Sequence, residues 1–271
     1  MFFTTKTPNR SEENCRNPVS TTAHKRLVEK IVAIVAALAV WQVAAILVDQ
    51  NIILVTPTKV LVKLFDLVQT VDFWSAVLFS LSRMSLGFFL ALFAGVFLAF
   101  FASQWRPIDV LLWPYMAAVK STPVASFVIL CLLWLGAARL SVFISFLMVL
   151  PVIYTNMLQG IKSTDKKLLE MAAVFRVPIR RKLFYIYIPG VKSYFLSATG
   201  VAIGFAWKAG IAAEVIGIPK GSIGERLYEA KIYLNSAELF AWTLVIVVIS
   251  VVFEKIFLAV VKRIYKRMET V

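Results

Sequence analysis

The sequence predicts an all-α, polytopic membrane protein: a helical bundle of about six transmembrane helices. Three observations carry that prediction. Of the 271 residues, 60% are hydrophobic and only 16% charged, against about a quarter charged in a soluble domain. The apolar residues fall in runs close to the ~20 that a helix needs to cross a ~30 Å hydrocarbon core. The basic residues behind the net charge of +14 bunch at the N-terminus, in one central interval and at the C-terminus. A multi-pass protein distributes Lys and Arg in this way to set its orientation; no single groove-facing patch suggests nucleic acid.

Taken in order, residues 1–30 read as a basic cytoplasmic tail, with Lys6, Arg10, Arg16, Lys25, Arg26 and Lys30. The membrane domain follows over residues 31–262. Ile31 to Val48 is the first span. Residues 49–79 form an external segment in which Thr56-Pro57-Thr58 caps an amphipathic helix, with Leu61, Leu64, Phe65 and Val68 on one face. The second span runs from about Ser80 to Ser103, and its Gly87, Ala91 and Gly95 make a stripe of small residues for close helix packing. Gln104 to Asp109 is a short internal turn. Residues 110–136 are too long for one straight span and are broken by Pro114 and Pro123. The fourth span is Leu140 to Gln159, the fifth Val191 to Ile216, with Gly200, Gly204 and Gly210 marking close approach, and the last Leu239 to Val261. A basic tail, 263–271, closes the chain. Six spans put both termini and the central interval on the cytoplasmic side, where the Lys and Arg excess requires them.

The central interval, residues 162–190, is the longest charged stretch between two membrane-length runs. It holds seven basic residues and two acids, Asp165 and Glu170. Ser163, Thr164 and Asp165 offer caps for a first short helix. Leu168, Ala172 and Phe175 share one face of it. Pro178 opens a second short helix carrying Arg180, Arg181 and Lys182, and Pro189-Gly190 ends it. A polar hairpin of this kind cannot sit in lipid, where unsatisfied backbone groups are costly. It belongs at the surface or in a partner.

The polar residues within the spans are few. Lys120, with Ser121 beside the Pro123 break, is read as lining a polar path and meeting an anion, because ionisable residues at membrane depth are rare. The alternative is that it snorkels to an interface or pairs with an acid. Arg83 lies near the outer end of the second span. Trp207, Lys208 and Glu214 interrupt the fifth, and the spacing of Lys208 and Glu214 puts them on different faces. Cys15, Cys131 and the single His24 give no disulfide and no metal cluster. There is no G-x-x-x-x-G-K-[ST] phosphate loop. No cofactor is expected, and no catalytic constellation appears, so the chain is read as a non-enzyme.

The hairpin resembles the EAA loop of inner-membrane permease subunits of ABC transporters, whose pattern is Glu-Ala-Ala, three residues, Gly, nine residues, then Ile-x-Leu-Pro. Glu170 stands at the Glu, Met171 and Ala172 at the two Ala, and Ile186, Ile188 and Pro189 at the Ile, Leu and Pro. Arg176 departs from the family's Gly, which makes a positive-φ turn harder there and leaves Pro178 to set the break. Four further stretches are similar to the nitrate/sulfonate/taurine branch: Thr56 to Leu61, Ser80 to Arg83 with Gly87, Ser121 to Ala125, and Trp207 with Ala212-Ala213-Glu214. The resemblance implies a permease in the cell membrane that dimerises and receives solute from an extracytoplasmic binding protein. It docks ABC ATPase subunits through Asp165, Leu168, Glu170, Met171, Ala172, Phe175, Arg176, Ile186, Ile188 and Pro189, and substitution of Glu170 or Pro189 is expected to uncouple hydrolysis from uptake. The implied solute is a small anion such as nitrate, a sulfonate or taurine, with related systems carrying thiamine precursors. A stand-alone secondary transporter or channel is the competing reading. It calls for interrupted helices in both halves, and the second half has none to match the break near residues 114–123.

Overall fold

The structure, a computed structural model, describes residues 19–48 and 54–269. Residues 1–18 of the expected tail, with Cys15, and Asp49 lie outside that description. The described residues are helical throughout, with short connections and no strand. Contacts divide the chain into two units, residues 1–57 and 58–271. The described part of the first is one helix, α1 (Val19–Val48), which begins a few turns before the apolar run.

The second unit holds α2 (Pro57–Val68) from its second residue on, α3 (Val71–Gln104), α4 (Arg106–Ser121), α5 (Val124–Leu135), α6 (Ala137–Lys162), α7 (Lys166–Val174), α8 (Ile179–Lys182), α9 (Ile188–Gly217), α10 (Ile223–Ile232) and α11 (Ser236–Glu269). Among the described residues, five helices are long and apolar enough to cross a membrane, and the pair α4–α5 makes a sixth if its halves count as one span.

That pair is bent by 106° at its break, so whether it crosses must be read from its neighbours. A Cβ on Gly87 would lie 2.5 Å from the Val142 carbonyl oxygen, and one on Gly95 would lie 2.9 Å from Ile153 Cγ2. Helices α3 and α6 therefore run in the same direction along each other, and the chain between them must return across the whole bundle. It does. At the start of α4, Asp109 accepts from Lys162 Nζ at 2.6 Å and from Tyr154 Oη at 3.1 Å. Past the end of α5, a Cβ on Gly217 would meet Leu140 and Leu132. The break falls at Thr122-Pro123; Pro114, expected to supply another, lies inside α4.

Helix α9 runs opposite to α6. Gly160 sits against Val191 and Tyr194, and Gly210 against Ser145 and Met84. The bundle thus has two ends. The loop end gathers the α3–α4 turn, residues 162–188 and the last turns of α11, where Ile264 and Met268 share a cavity wall with Arg180 and Phe184. The far end gathers α2, the α5–α6 and α9–α10 connections and the start of α11, where Trp242 stacks on Phe73 at 5.1 Å.

The small stripe on α3 does what its spacing predicts: Gly87, Ala91, Gly95 and Ala99 are buried against α6. Of the three glycines expected to mark close approach on α9, only Gly210 does. A Cβ on Gly204 would meet nothing within 4 Å. Helix α3 begins nine residues before the expected span, because Thr70 caps it by accepting from the Phe73 amide at 3.3 Å. In α2 the packed face is Val60, Leu64 and Leu67; Leu61 and Phe65 of the predicted face point outward, 57% and 70% exposed.

Candidate functional site

The loop end carries the polar hairpin, and its local chemistry explains its shape. Asp165 is the N-cap of α7, accepting from the Lys167 amide at 2.9 Å, so of the three candidate caps it is the one used. Helix α7 ends in a pair of bonds that close its last turn. The Val177 amide donates to the Ala172 carbonyl at 2.9 Å, and the Arg176 amide to the Ala173 carbonyl at 3.0 Å. This is a Schellman closure, which needs a left-handed residue between the two helices. Arg176 takes that conformation, with φ +47°. The expectation that arginine would hand the turn to Pro178 is therefore corrected: the position keeps the backbone of a glycine despite its side chain, and Pro178 follows as the N-cap of α8.

The strain at Arg176 gives a prediction. A non-glycine residue in the left-handed region costs about 1–2 kcal/mol, part of which glycine returns through its looser unfolded chain. Arg176→Gly is expected to stabilise the chain by about 0.5–1 kcal/mol, read as a higher melting midpoint of the full chain in detergent. A lower midpoint would remove the strain argument.

The second short helix is not a separate element. Helix α8 passes through a wide π turn, Leu183–Tyr187, into α9, giving one helical run from Ile179 to Gly217. Pro189-Gly190 was expected to end a helix and instead lies in the first turn of α9. Proline in a helix clashes with the carbonyl four residues back. The π turn sits where that carbonyl, Tyr185, would stand, and the Ile188 amide reaches back five residues to Leu183. The widened turn admits the proline without breaking the rod.

The expected face of α7 is divided. Ala172 is buried against the bundle, while Leu168, Met171 and Phe175 are 44%, 51% and 74% exposed. Glu170 is exposed beside them. Ile186 and Ile188 are half-buried and Pro189 exposed. The loop is anchored beneath by Thr164, which is buried and lies 3.6 Å from where a Cβ on Gly190 would be.

The residues expected along a polar path separate into three settings. Glu214 is fully buried at the far end. Its Oε2 accepts from Ser80 Oγ at 2.6 Å and from the Gly224 amide at 3.4 Å, while Ser80 Oγ accepts from the Ile223 amide at 3.0 Å. Arg83, one turn along α3, supplies a nearby positive charge and lies 4.1 Å from the Phe79 ring. This cluster latches the start of α10 onto α3 and α9. A Cβ on Gly224 would fall on the Glu214 backbone, so only glycine lets the amide reach the carboxylate. Sequence reasoning missed Ser80 as the partner; its position three residues before Arg83, on the same helix face, was the available signal.

Trp207 was expected beside the path. It is 2% exposed and packs against Phe253 of α11 at 6.3 Å, a place in the core. Lys120 and Ser121 are exposed at the α4–α5 break, where Lys120 Nζ donates to Thr155 Oγ1 at 3.2 Å. This partner is a hydroxyl, not an acid. Lys208 is exposed on α9, on a different face from Glu214, and Ser193, Ser197, Val201 and Phe205 lie on the same outward stripe.

Residues 87–270 match the model of the family described as binding-protein-dependent transport system inner membrane component. A Bacillus subtilis permease protein named for aliphatic sulfonates transport is 25% identical over 215 residues, covering 78% of this chain and 77% of its own. The formylaminopyrimidine transport permease protein of Halalkalibacterium halodurans is 22% identical, covering 68% and 74%. The nitrate import permease protein of Synechocystis is 23% identical, covering 74% and 76%.

Proposed function

This chain belongs to the family of binding-protein-dependent transport system inner membrane components, and from that premise we propose that it forms the translocation path of an ABC importer for a small anion. As a member of that family it is a multi-pass protein of the plasma membrane and a transport component. The finer reading is that α7 docks in a groove of a separate ATPase subunit, a helix-in-groove contact, and that closure of the ATPase on its nucleotide moves the loop and biases the bundle between outward-open and inward-open states. Solute arrives from an extracytoplasmic binding protein.

The observation that carries this reading is the exposed apolar face of α7, Leu168, Met171 and Phe175, held at the loop end on a helix too polar to enter lipid. Orientation follows from charge. The loop end carries Lys166, Lys167, Arg176, Arg180, Arg181, Lys182, Arg263, Lys266 and Arg267 against few acids. At the far end acids balance part of the positive charge, Lys63 pairing with Glu238 at 3.3 Å and Arg226 with Glu229 and Asp72. The loop end is therefore cytoplasmic by the positive-inside rule, with the last turns of α11 beside it.

A second copy of the chain faces the outward stripe of α9. Ser193, Ser197 and Lys208, with Lys120 and Ser121 from the broken span, then line the path between copies and suit an anion. The Glu214 latch holds the extracytoplasmic end together and is not part of the path.

The test is purification of the full chain, expressed from its own operon, in mild detergent. An ATP-hydrolysing subunit is expected to come down with it, and the Leu168→Asp variant is expected to lose that subunit. A chain that transports without any hydrolysing companion overturns the proposal. The solute itself is read from which anion raises the melting midpoint of the accompanying binding protein.

A further inference from the structure

At the loop end, between α8 with its π turn and the last turns of α11, lies an open cavity of about 660 Å³ lined by Arg180, Arg181, Phe184, Ile264, Arg267 and Met268, among others. A second hollow of about 540 Å³ adjoins it, sharing Ile264 and Arg267 and adding Arg263 and Lys266. We propose that this double hollow binds an acidic phospholipid, its phosphodiester held by the arginines and an acyl chain laid along α11.

Charge is the first argument. No lining residue of either hollow is acidic, and among the described residues no carboxylate pairs with Arg180, Arg181 or Arg263. Guanidinium groups are suited to phosphate because their planar fork gives two parallel charge-assisted bonds. Basic pockets between helices at the cytoplasmic face are where acidic headgroups bind.

The second argument is the apolar continuation. Val252, Ile256, Val260 and Ile264 repeat every four residues along α11 and are 47%, 59%, 51% and 54% exposed. They form one uncovered apolar track that runs from within the span to the cavity floor, where Phe184 and Met268 close it. A free phosphate or nucleotide has no use for such a track, and an acidic protein surface would meet the arginines without following it. A lipid uses both. The candidate span of α11 is 33 residues long. At about 1.5 Å per residue it exceeds a ~30 Å core by several turns, which places its terminal arginines at headgroup depth.

The two elements that wall the cavity belong to different parts of the chain, the loop and the final helix. A bound headgroup therefore joins them across the end of the bundle, adding to the contacts that Tyr265 of α11 makes with Lys192 and Phe195 of α9.

The experiment is native mass spectrometry of the full chain in detergent with added phosphatidylglycerol, cardiolipin or phosphatidylcholine. The wild type is expected to keep an acidic-lipid adduct at collision energies that strip phosphatidylcholine. Arg180→Gln with Arg181→Gln is expected to lower the adduct fraction about tenfold, whereas Arg180→Lys with Arg181→Lys keeps most of it, and Lys220→Gln at the far end leaves it unchanged. Melting midpoints of the variants confirm that each is folded. Equal retention of phosphatidylcholine, or adducts undiminished in the glutamine variant, overturns the proposal. Displacement of the adduct by millimolar inorganic phosphate overturns it too, since the site would then take free anions. The result does not depend on whether α7 binds an ATPase.

Discussion

Replacing Leu168 and Phe175 together by aspartate is expected to abolish ATP-driven uptake while leaving the melting midpoint of the chain within about 2 °C of the wild type. Both side chains are exposed, 44% and 74%, so the bundle loses little packing when they change. In the complex proposed above each would be buried, and each would be worth about 1.5–3 kcal/mol as apolar surface removed from water. Loss of two such contacts, with a desolvated charge in place of each, weakens docking by more than about a thousandfold. The measurement is uptake into vesicles alongside ATPase co-purification. Ala172 makes the contrast: it is 2% exposed, so Ala172→Asp is expected to lower the melting midpoint as well. Uptake by the double variant within twofold of wild type would show that α7 is not the docking element.

The second large effect is expected at Gly87. Its missing side chain lets α3 and α6 touch backbone to backbone, with a would-be Cβ 2.5 Å from the Val142 carbonyl oxygen and 2.8 Å from Ser145 Cβ. Neither neighbour is the flexible tip of a long side chain that can swing away. Gly87→Val is expected to part the helices, with a cost above about 3 kcal/mol and a fall of roughly 10 °C in melting midpoint. Gly204→Ala supplies the control. Nothing lies within 4 Å of a Cβ there, and alanine is the better helix former by about 1 kcal/mol, so its midpoint is expected to rise or stay level. If both glycines respond alike, close approach at Gly87 is not what holds α3 to α6.

What was legible in the sequence was what local pattern determines. The apolar runs marked the spans, the four-residue spacing of Gly87, Ala91 and Gly95 marked the packing stripe, and the candidate caps Ser163, Thr164 and Asp165 marked the start of α7. The break at Pro123 was also visible. The misreadings share a cause. Proline was taken as a terminator at Pro114 and Pro189, yet a long helix held by its neighbours tolerates one lost bond, and at Pro189 a wide turn removes the clash. Arg176 was judged by its side chain, although the closure of α7 fixes the backbone around it. Separately from these, the hydrogen-bond partner of Glu214 was out of reach of local pattern. Its partner Ser80 is 134 residues away, a pairing that only the fold makes. The outward and inward faces of α2 were likewise settled by what it packs on, not by its own periodicity.

The uninterrupted run from Ile179 to Gly217 has a mechanical meaning. It is 39 residues long, about 58 Å from end to end. Its wide turn is the natural pivot, and roughly 45 Å of stiff rod lies beyond it. Swinging that rod by about 5° carries its tip sideways by about 4 Å, close to the width of a small anion. On the proposed function, a modest push on one face of the membrane arrives on the other already magnified to the size of the cargo.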